Sequence, residues 1–197
     1  MRRVAGEVCP GGIVTGTEET AIGPAAVGAR VQKHTTEILF LLLLAGAAAF
    51  VYQTGGTLPD LVATHFGPSG AANGSLSRAL YLRFMVIFVV LLPLGLNLLV
   101  VRVLRLPSAR INIPHRDYWL APERRADTER RLLRHMQFFG VMLAAFLCHV
   151  HWRVVLANRL TPPMLDNTKF SYGLAIFMVT LVTWIVLLRR AFRPPQP

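Results

Sequence analysis

Four side chains that could bind a metal or carry charge lie together in the third apolar stretch: Cys148, His149, His151 and Arg153. Thiolate and imidazole are good zinc ligands, so the group is a candidate metal site. On a helix, His149 and His151 lie about 200° apart and cannot bind one ion from the same face. Cys148 and His151 can share one face, and His149 and Arg153 can share another.

The loop between the first two apolar stretches supplies the other reactive side chains. Within Leu58 to Arg78 it carries Asp60, His65, Phe66 and Asn73 among prolines and glycines. The prolines stiffen the loop and the glycines allow tight turns, which predicts a folded cap over the helix ends. Direct contact with a ligand through Asp60 and His65 is the alternative interpretation.

A zinc site made of His65, Cys148 and His151 is conceivable from these residue types. No recognised ligand spacing such as HExxH or paired CxxC accompanies them. The interpretation that we prefer is that the histidines are interfacial and that Arg153 extends towards the lipid headgroups. We therefore predict no metal and no cofactor.

Two polar side chains within apolar stretches need partners. Asn97 interrupts the second stretch, and an amide facing lipid is costly, so Asn97 should point into the bundle and bond a neighbouring helix. If Arg153 is buried it needs a counter-charge, for which Asp60 or Asp166 is the natural candidate.

Catalytic patterns are missing from the sequence. There is no GxSxG, no P-loop and no GxGxxG after a strand. No pair of acidic residues lies inside an apolar stretch, as a proton-coupled transporter would usually require. The sequence therefore favours a protein that is not an enzyme.

The amino-acid composition indicates that these residues belong to a membrane protein. The chain has 197 residues, 53% hydrophobic and only 16% charged, with a mean hydropathy of +0.47, whereas soluble domains carry about 25% charged residues. We predict an all-α integral membrane protein with a disordered segment over residues 1–34 and a four-helix membrane domain over residues 35–197. The expected spans are residues 35–53, 80–101, 136–157 and 170–188.

The distribution of positive charge predicts the orientation. Of the 21 lysines and arginines, all lie at the termini or between spans two and three except Arg78, Arg83, Arg153, Arg159 and Lys169. The positive-inside rule then places both termini in the cytoplasm and the first loop outside. The net charge of +11 is explained by orientation in a lipid bilayer, so we expect no nucleic-acid partner.

The first loop also resembles a known motif. Its residues include Leu58 and Pro59, the run Val62 to Phe66, then Gly70 and the pair Ser77-Arg78. This pattern, Leu-Pro-x-x-Val-Ala-Thr-His-Phe followed by Gly and Ser-Arg, resembles a bacterial domain family of unknown function. That domain also begins proteins similar to the Sdp toxin-immunity family. The similarity covers roughly residues 38–96, with alanine at position 63 where the family commonly has proline.

The resemblance implies a multi-pass protein of the bacterial cytoplasmic membrane. Two functions stay open. The first is a non-enzymatic protein that binds a peptide or protein partner at its outer face, in immunity, in signalling or as an accessory subunit of a membrane complex, and that could form an oligomer. The second is a membrane enzyme or metal-dependent factor with a histidine and cysteine site at that face.

Overall fold

The computed structural model describes residues 24–105 and 115–193, with side chains over residues 35–105 and 115–193. These residues are mostly helical. In chain order the elements are α1 (Pro24–Gly55), β1 (Leu61–Phe66), β2 (Ala72–Ser77), α2 (Arg78–Val86), a π-helical turn (Ile87–Leu91), α3 (Leu92–Arg105), α4 (Arg116–Trp119), α5 (Pro122–Ala157) and α6 (Asn167–Ala191).

Among the described residues, four helical segments are long and apolar enough to cross a membrane, which is the number that the sequence predicted. They cover Thr35–Gly55, Arg78–Arg105, Pro122–Ala157 and Asn167–Ala191. Each is longer than the apolar stretch that predicted it, because a helix that has nucleated extends at little cost through flanking polar residues.

The start of α1 corrects the expectation of disorder over residues 1–34. The helix begins at Pro24, so residues 24–34 continue the first span rather than forming part of a disordered segment. The sequence there begins with Pro24, and proline is favourable at the first helical position. It also contains several alanines, which favour a helix. Residues 1–23 lie outside the described residues.

The longest helix, α5, is the centre of the bundle. It contacts α1 and the π-helical turn, α3 and α6. α5 approaches α1 closely at Gly140, where an added Cβ would come within 2.9 Å of the Phe40 ring. The last helix, α6, is the outermost, because none of its residues is buried and its apolar side chains face outward. Such a surface suits contact with lipid.

The prediction for Asn97 is confirmed by its contacts. Its amide nitrogen donates to the carbonyl of Pro93, 2.9 Å away, and to that of Met136 on α5, 3.4 Å away. Pro93 cannot donate to the carbonyl of Val89, and Val89 lies within the π-helical turn. The π-helical turn therefore lies where Pro93 leaves the helix without one backbone hydrogen bond.

The first loop forms a β-hairpin, which the sequence did not predict. Strands β1 and β2 pair antiparallel and make a two-stranded sheet at one end of the bundle. We call this end, with the loop of residues 158–166, the hairpin end. The opposite end carries the arginines of residues 116–134 and 189–193, and we call it the basic end.

Candidate functional site at the hairpin end

The hairpin is fixed to the bundle by Asn158, the residue that caps α5. Its side-chain oxygen accepts a hydrogen bond from the Ala63 N–H, 2.8 Å away, and its amide nitrogen donates to the Ala63 carbonyl, 2.9 Å away. The same nitrogen donates to the carbonyl of Val154. Asn158 therefore replaces one residue of a neighbouring strand on the inner edge of β1, and a proline at position 63 could not make the first bond.

The tip of the hairpin is held by the loop that leads into α6. The Leu165 N–H donates to the Gly70 carbonyl over 2.8 Å, and the Asn167 amide donates to the carbonyl of Pro68 over 2.8 Å. Gly70 has a φ of +83° and its missing Cβ would collide with the Leu165 carbonyl. Glycine is needed there for conformation and for space.

The base of the hairpin is closed by Arg78. Its guanidinium contacts the Asp60 carboxylate at 2.9 Å and donates to the Leu58 carbonyl at 2.7 Å. Asp60 is therefore a structural partner of Arg78. It is not the counter-charge of Arg153, which was one of the two assignments that the sequence allowed.

Arg153 pairs with the other carboxylate, Asp166. The Arg153 side chain is buried and its guanidinium lies 3.6 Å from the Asp166 carboxylate, which also contacts the Lys169 ammonium at 3.2 Å. The pKa of Asp166 is lowered because its carboxylate accepts a hydrogen bond from the Lys169 backbone N–H, helped by the Lys169 and Arg153 charges. Asp166 thereby caps α6 and neutralises a buried arginine.

His151 is the fully buried centre of a polar contact among three helices. Its Nε2 lies 2.8 Å from the Thr54 hydroxyl of α1, and its Nδ1 lies 2.9 Å from the Tyr81 hydroxyl of α2. The Tyr81 ring stacks on the imidazole and the Phe50 ring meets it edge-on. We call Thr54, Tyr81 and His151 the three-helix contact.

Counting hydrogens assigns the tautomer of this contact. The single hydroxyl hydrogen of Thr54 is donated to the Phe50 carbonyl, 2.6 Å away, so the Thr54 oxygen must accept from His151 Nε2–H. In the neutral ring, Nδ1 then accepts from the Tyr81 hydroxyl. Both nitrogens of His151 are in use, and neither is available to a metal ion.

His149 and Cys148 lie on different faces of α5. The His149 ring packs over Gly173 of α6 and near Phe146, and its Nε2 has no hydrogen-bond partner in the part of the chain that the structure describes. The Cys148 sulfur lies 4.0 Å from the Ala47 carbonyl of α1. The opposed directions expected for His149 and His151 are therefore observed.

The remaining loop residues are at the surface. His65 is exposed, and its Nδ1 lies 3.2 Å from the Thr64 hydroxyl. Phe66 packs partly against the core, and Asn73 is exposed on β2. Across the described residues, no three histidine, cysteine or acidic side chains are placed to hold a metal ion.

Sequence reasoning missed the residues that fix the site. Thr54, Tyr81 and Asn158 contact partners distant in sequence, which local patterns do not identify. Arg78 belongs to the loop motif, but the motif did not indicate its partners. Asn158 carried the one usable signal, because a side-chain amide at a helix C-terminus often binds free carbonyl groups.

Comparisons with protein-family models, with curated proteins and with solved structures give no match. The resemblance to the bacterial loop family therefore stays a prediction.

Proposed function

We propose that the protein is a multi-pass membrane protein that binds an extended segment of a peptide or protein partner at its hairpin end. The partner segment would add a third strand to β2. The observation that carries this proposal is the outer edge of β2, which has no pairing strand among the described residues.

The register of the hairpin identifies the backbone groups that a partner would reach. The Arg78 N–H donates to the Asp60 carbonyl, so hydrogen-bonded pairs alternate from that point. The pair Ala63 and Ser75 is then a non-bonded pair, whose N–H and C=O groups point away from the partner strand. On β1, the outward N–H and C=O groups of Ala63 bind Asn158. On β2, the N–H and C=O groups of Ser75 point outward.

Beyond the antiparallel bridge of Ala71 to Met164 at the hairpin tip, the edge of β2 lacks the features that normally protect an edge strand. Natural edges are blocked by proline, lysine, a covering loop or inward charges. The strand reads ANGSLS and contains no charge and no proline. Asn73 and Ser75 are exposed on it, so their side chains could select the partner while the backbone supplies affinity.

The hairpin is held in place by contacts within the protein, which favours this mode of binding. Contacts hold its inner edge, its tip and its base, through Asn158, Gly70 and Arg78. Binding by a preorganised strand avoids the entropic cost of ordering a loop.

We further propose that this end lies outside the cytoplasm of a bacterial cell and that both termini lie inside. The clustering of arginines at the basic end supports this orientation. A reporter fused after Gly70 that is active only in the cytoplasm would contradict it. The enzyme or metal-dependent alternative has weaker support. Both ring nitrogens of His151 are hydrogen-bonded, and His65 and Cys148 belong to no group of three possible metal ligands among the described residues.

Photo-crosslinking at the edge of β2 tests the proposed binding. A photoreactive amino acid replaces Asn73 in the full chain expressed in its own cells, and the adduct is identified by mass spectrometry. We expect an adduct whose yield falls at least severalfold with Ser75→Pro, since proline removes the outward N–H without breaking a ladder bond. Ser75→Ala keeps that N–H and should retain the adduct.

A crosslinker at Leu160, exposed in the neighbouring loop, is the matched control and should give little of the same adduct. Equal yields from Ser75→Pro and Ser75→Ala would refute strand addition at β2. An adduct with twice the mass of the chain would identify a second copy as the partner instead of a different protein.

A further inference from the structure

A cavity of about 540 Å³ lies between α5 and α6 at the basic end. It is lined by Arg131, Arg134, His135, Phe138, Trp184, Leu187 and Ala191. Its lining is cationic on one side and apolar on the other. We propose that this cavity binds the headgroup phosphate and adjoining chain of an anionic phospholipid.

The positive charge of the cavity is not neutralised by the protein. Arg134 has no ion-pair or hydrogen-bond partner within the described ranges 35–105 and 115–193, and no acidic residue lines the cavity. The nearest acids on α5 are already engaged, since Asp127 pairs with Arg130 and Glu129 pairs with Arg125. An anion is therefore the ligand that completes this site.

Arg131 is fixed in a position that leaves donors free. One terminal nitrogen donates to the Ala191 carbonyl at the end of α6, 2.9 Å away, and the guanidinium lies 5.5 Å from the centre of the Trp119 ring. Asp127, four residues before Arg131 on α5, pairs with Arg130 and not with Arg131. A guanidinium has five N–H donors, so Arg131 can bind both the helix end and a phosphate oxygen.

The apolar side of the cavity distinguishes a lipid from free phosphate. Phe138 is 55% exposed and Leu187 is 50% exposed, and both lie on segments that cross the membrane. Phe138 lies one helical turn, about 6 Å, beyond Arg134 along α5. The acyl chain of a lipid whose phosphate binds Arg134 would therefore reach Phe138. The Trp184 indole of α6 donates a hydrogen bond to the His135 carbonyl of α5. This bond holds the two helices together between the cationic and the apolar parts of the cavity.

A lipid in this cavity would bind α5 and α6 together. α6 makes its helix contacts mainly with α5, and none of its residues is buried. Anionic headgroups at the cytoplasmic side commonly occupy basic pockets between helices. The proposed site thus couples the outermost helix to the bundle through a lipid molecule, independently of the binding proposed at the hairpin end.

Native mass spectrometry of the purified full chain tests the site. The probes are phosphatidylglycerol and phosphatidylcholine of matched acyl chains, titrated into detergent, with inorganic phosphate as a competitor. We expect preferential binding of one phosphatidylglycerol, weakened about tenfold by Arg134→Gln and restored in part by Arg134→Lys. Arg130→Gln removes the same charge four residues away on α5, outside the cavity, and should leave that preference unchanged.

Three results would overturn the proposal. One is equal binding of the two lipids by the wild-type chain. Another is equal loss of preference in Arg134→Gln and Arg130→Gln, which would indicate general charge attraction. Displacement by millimolar inorganic phosphate would show a free anion as the ligand and would also contradict a lipid site. Unchanged unfolding of Arg134→Gln establishes that the variant is folded.

Discussion

Replacing Tyr81 by phenylalanine tests the three-helix contact near the hairpin end of the bundle. The substitution removes only the hydroxyl that donates to His151 Nδ1 over 2.9 Å. Tyr81 is 4% exposed and its ring stacks on the imidazole, so the packing of the ring is retained. Nδ1 then loses its only hydrogen-bond donor among the described residues, in surroundings formed by Phe50 and other apolar groups.

The size of the effect follows from two estimates of the same loss. Hydrogen bonds between helices in membranes contribute about 0.6 kcal/mol on average and up to about 1.7 kcal/mol. A buried acceptor left without a partner costs about 1–3 kcal/mol. Because Tyr81 and His151 are both buried, we expect the free energy of unfolding to fall by about 1.5 kcal/mol, measured by reversible denaturation in detergent or bicelles.

A double-mutant cycle separates this hydrogen bond from packing. His151→Leu removes the acceptor, so Tyr81→Phe in that background should cost much less, or stabilise, since the tyrosine hydroxyl is then the unpaired group. The tautomer assignment adds a spectroscopic expectation. The imidazole nitrogen spectrum of wild-type protein should show the proton of neutral His151 on Nε2.

Tyr52→Phe is the matched control. Tyr52 lies on α1 near the hairpin end, two residues before Thr54, and its side chain is 73% exposed. Its effect should stay within about 0.5 kcal/mol. Equal effects of Tyr81→Phe and Tyr52→Phe, or a coupling energy near zero in the cycle, would refute the role of the three-helix contact. A proton on Nδ1 would refute the tautomer assignment.

Three further predictions concern the hairpin end. Asn158→Ala removes both bonds to the Ala63 backbone, so proteolysis and amide exchange of β1 should rise severalfold while the helices keep their protection. Gly70→Ala should destabilise the protein by about 1–3 kcal/mol in chemical unfolding, because φ is +83° and the new Cβ meets a carbonyl. Asp166→Asn should reduce the loss of stability that we expect for the wild type as pH falls below about 4. A lowered carboxyl pKa stabilises the fold above that range and ceases to do so as the folded-state group protonates.

Each of these has its own contradicting result. Gly46→Ala is the control for Gly70→Ala, because open space surrounds Gly46 and alanine in a helix should be neutral or stabilising; equal destabilisation would contradict the argument. Unchanged exchange of β1 in Asn158→Ala would show that the hairpin holds itself. Parallel acid unfolding curves for wild type and Asp166→Asn would exclude the carboxylate as the titrating group.

The sequence predicted the membrane spans because hydropathy is a property of consecutive residues. A run of apolar side chains must leave water whatever the partner helix is, and each span closes its own backbone hydrogen bonds. The same reasoning placed Asn97 inside the bundle and sent His149 and His151 in opposite directions. It also identified Asp166 as one of two counter-charges for Arg153.

The hairpin could not be predicted in the same way. An isolated two-stranded hairpin is marginally stable, and this one depends on Asn158, 95 positions from Ala63, and on contacts with the loop before α6. Residue types also suggested a zinc site at His65, Cys148 and His151. The structure separates them and gives His151 two hydroxyl partners instead.

The sequence by itself determined a four-span membrane protein, its asymmetric distribution of charge and the direction of its polar side chains around each helix. These depend on composition and on the helical repeat, which are local. Only the tertiary structure decided that the first loop is a hairpin with one edge clamped and one edge open, that His151 joins three helices, and that Arg134 faces an unneutralised cavity. Those features depend on which distant side chains meet, and helix packing decides that.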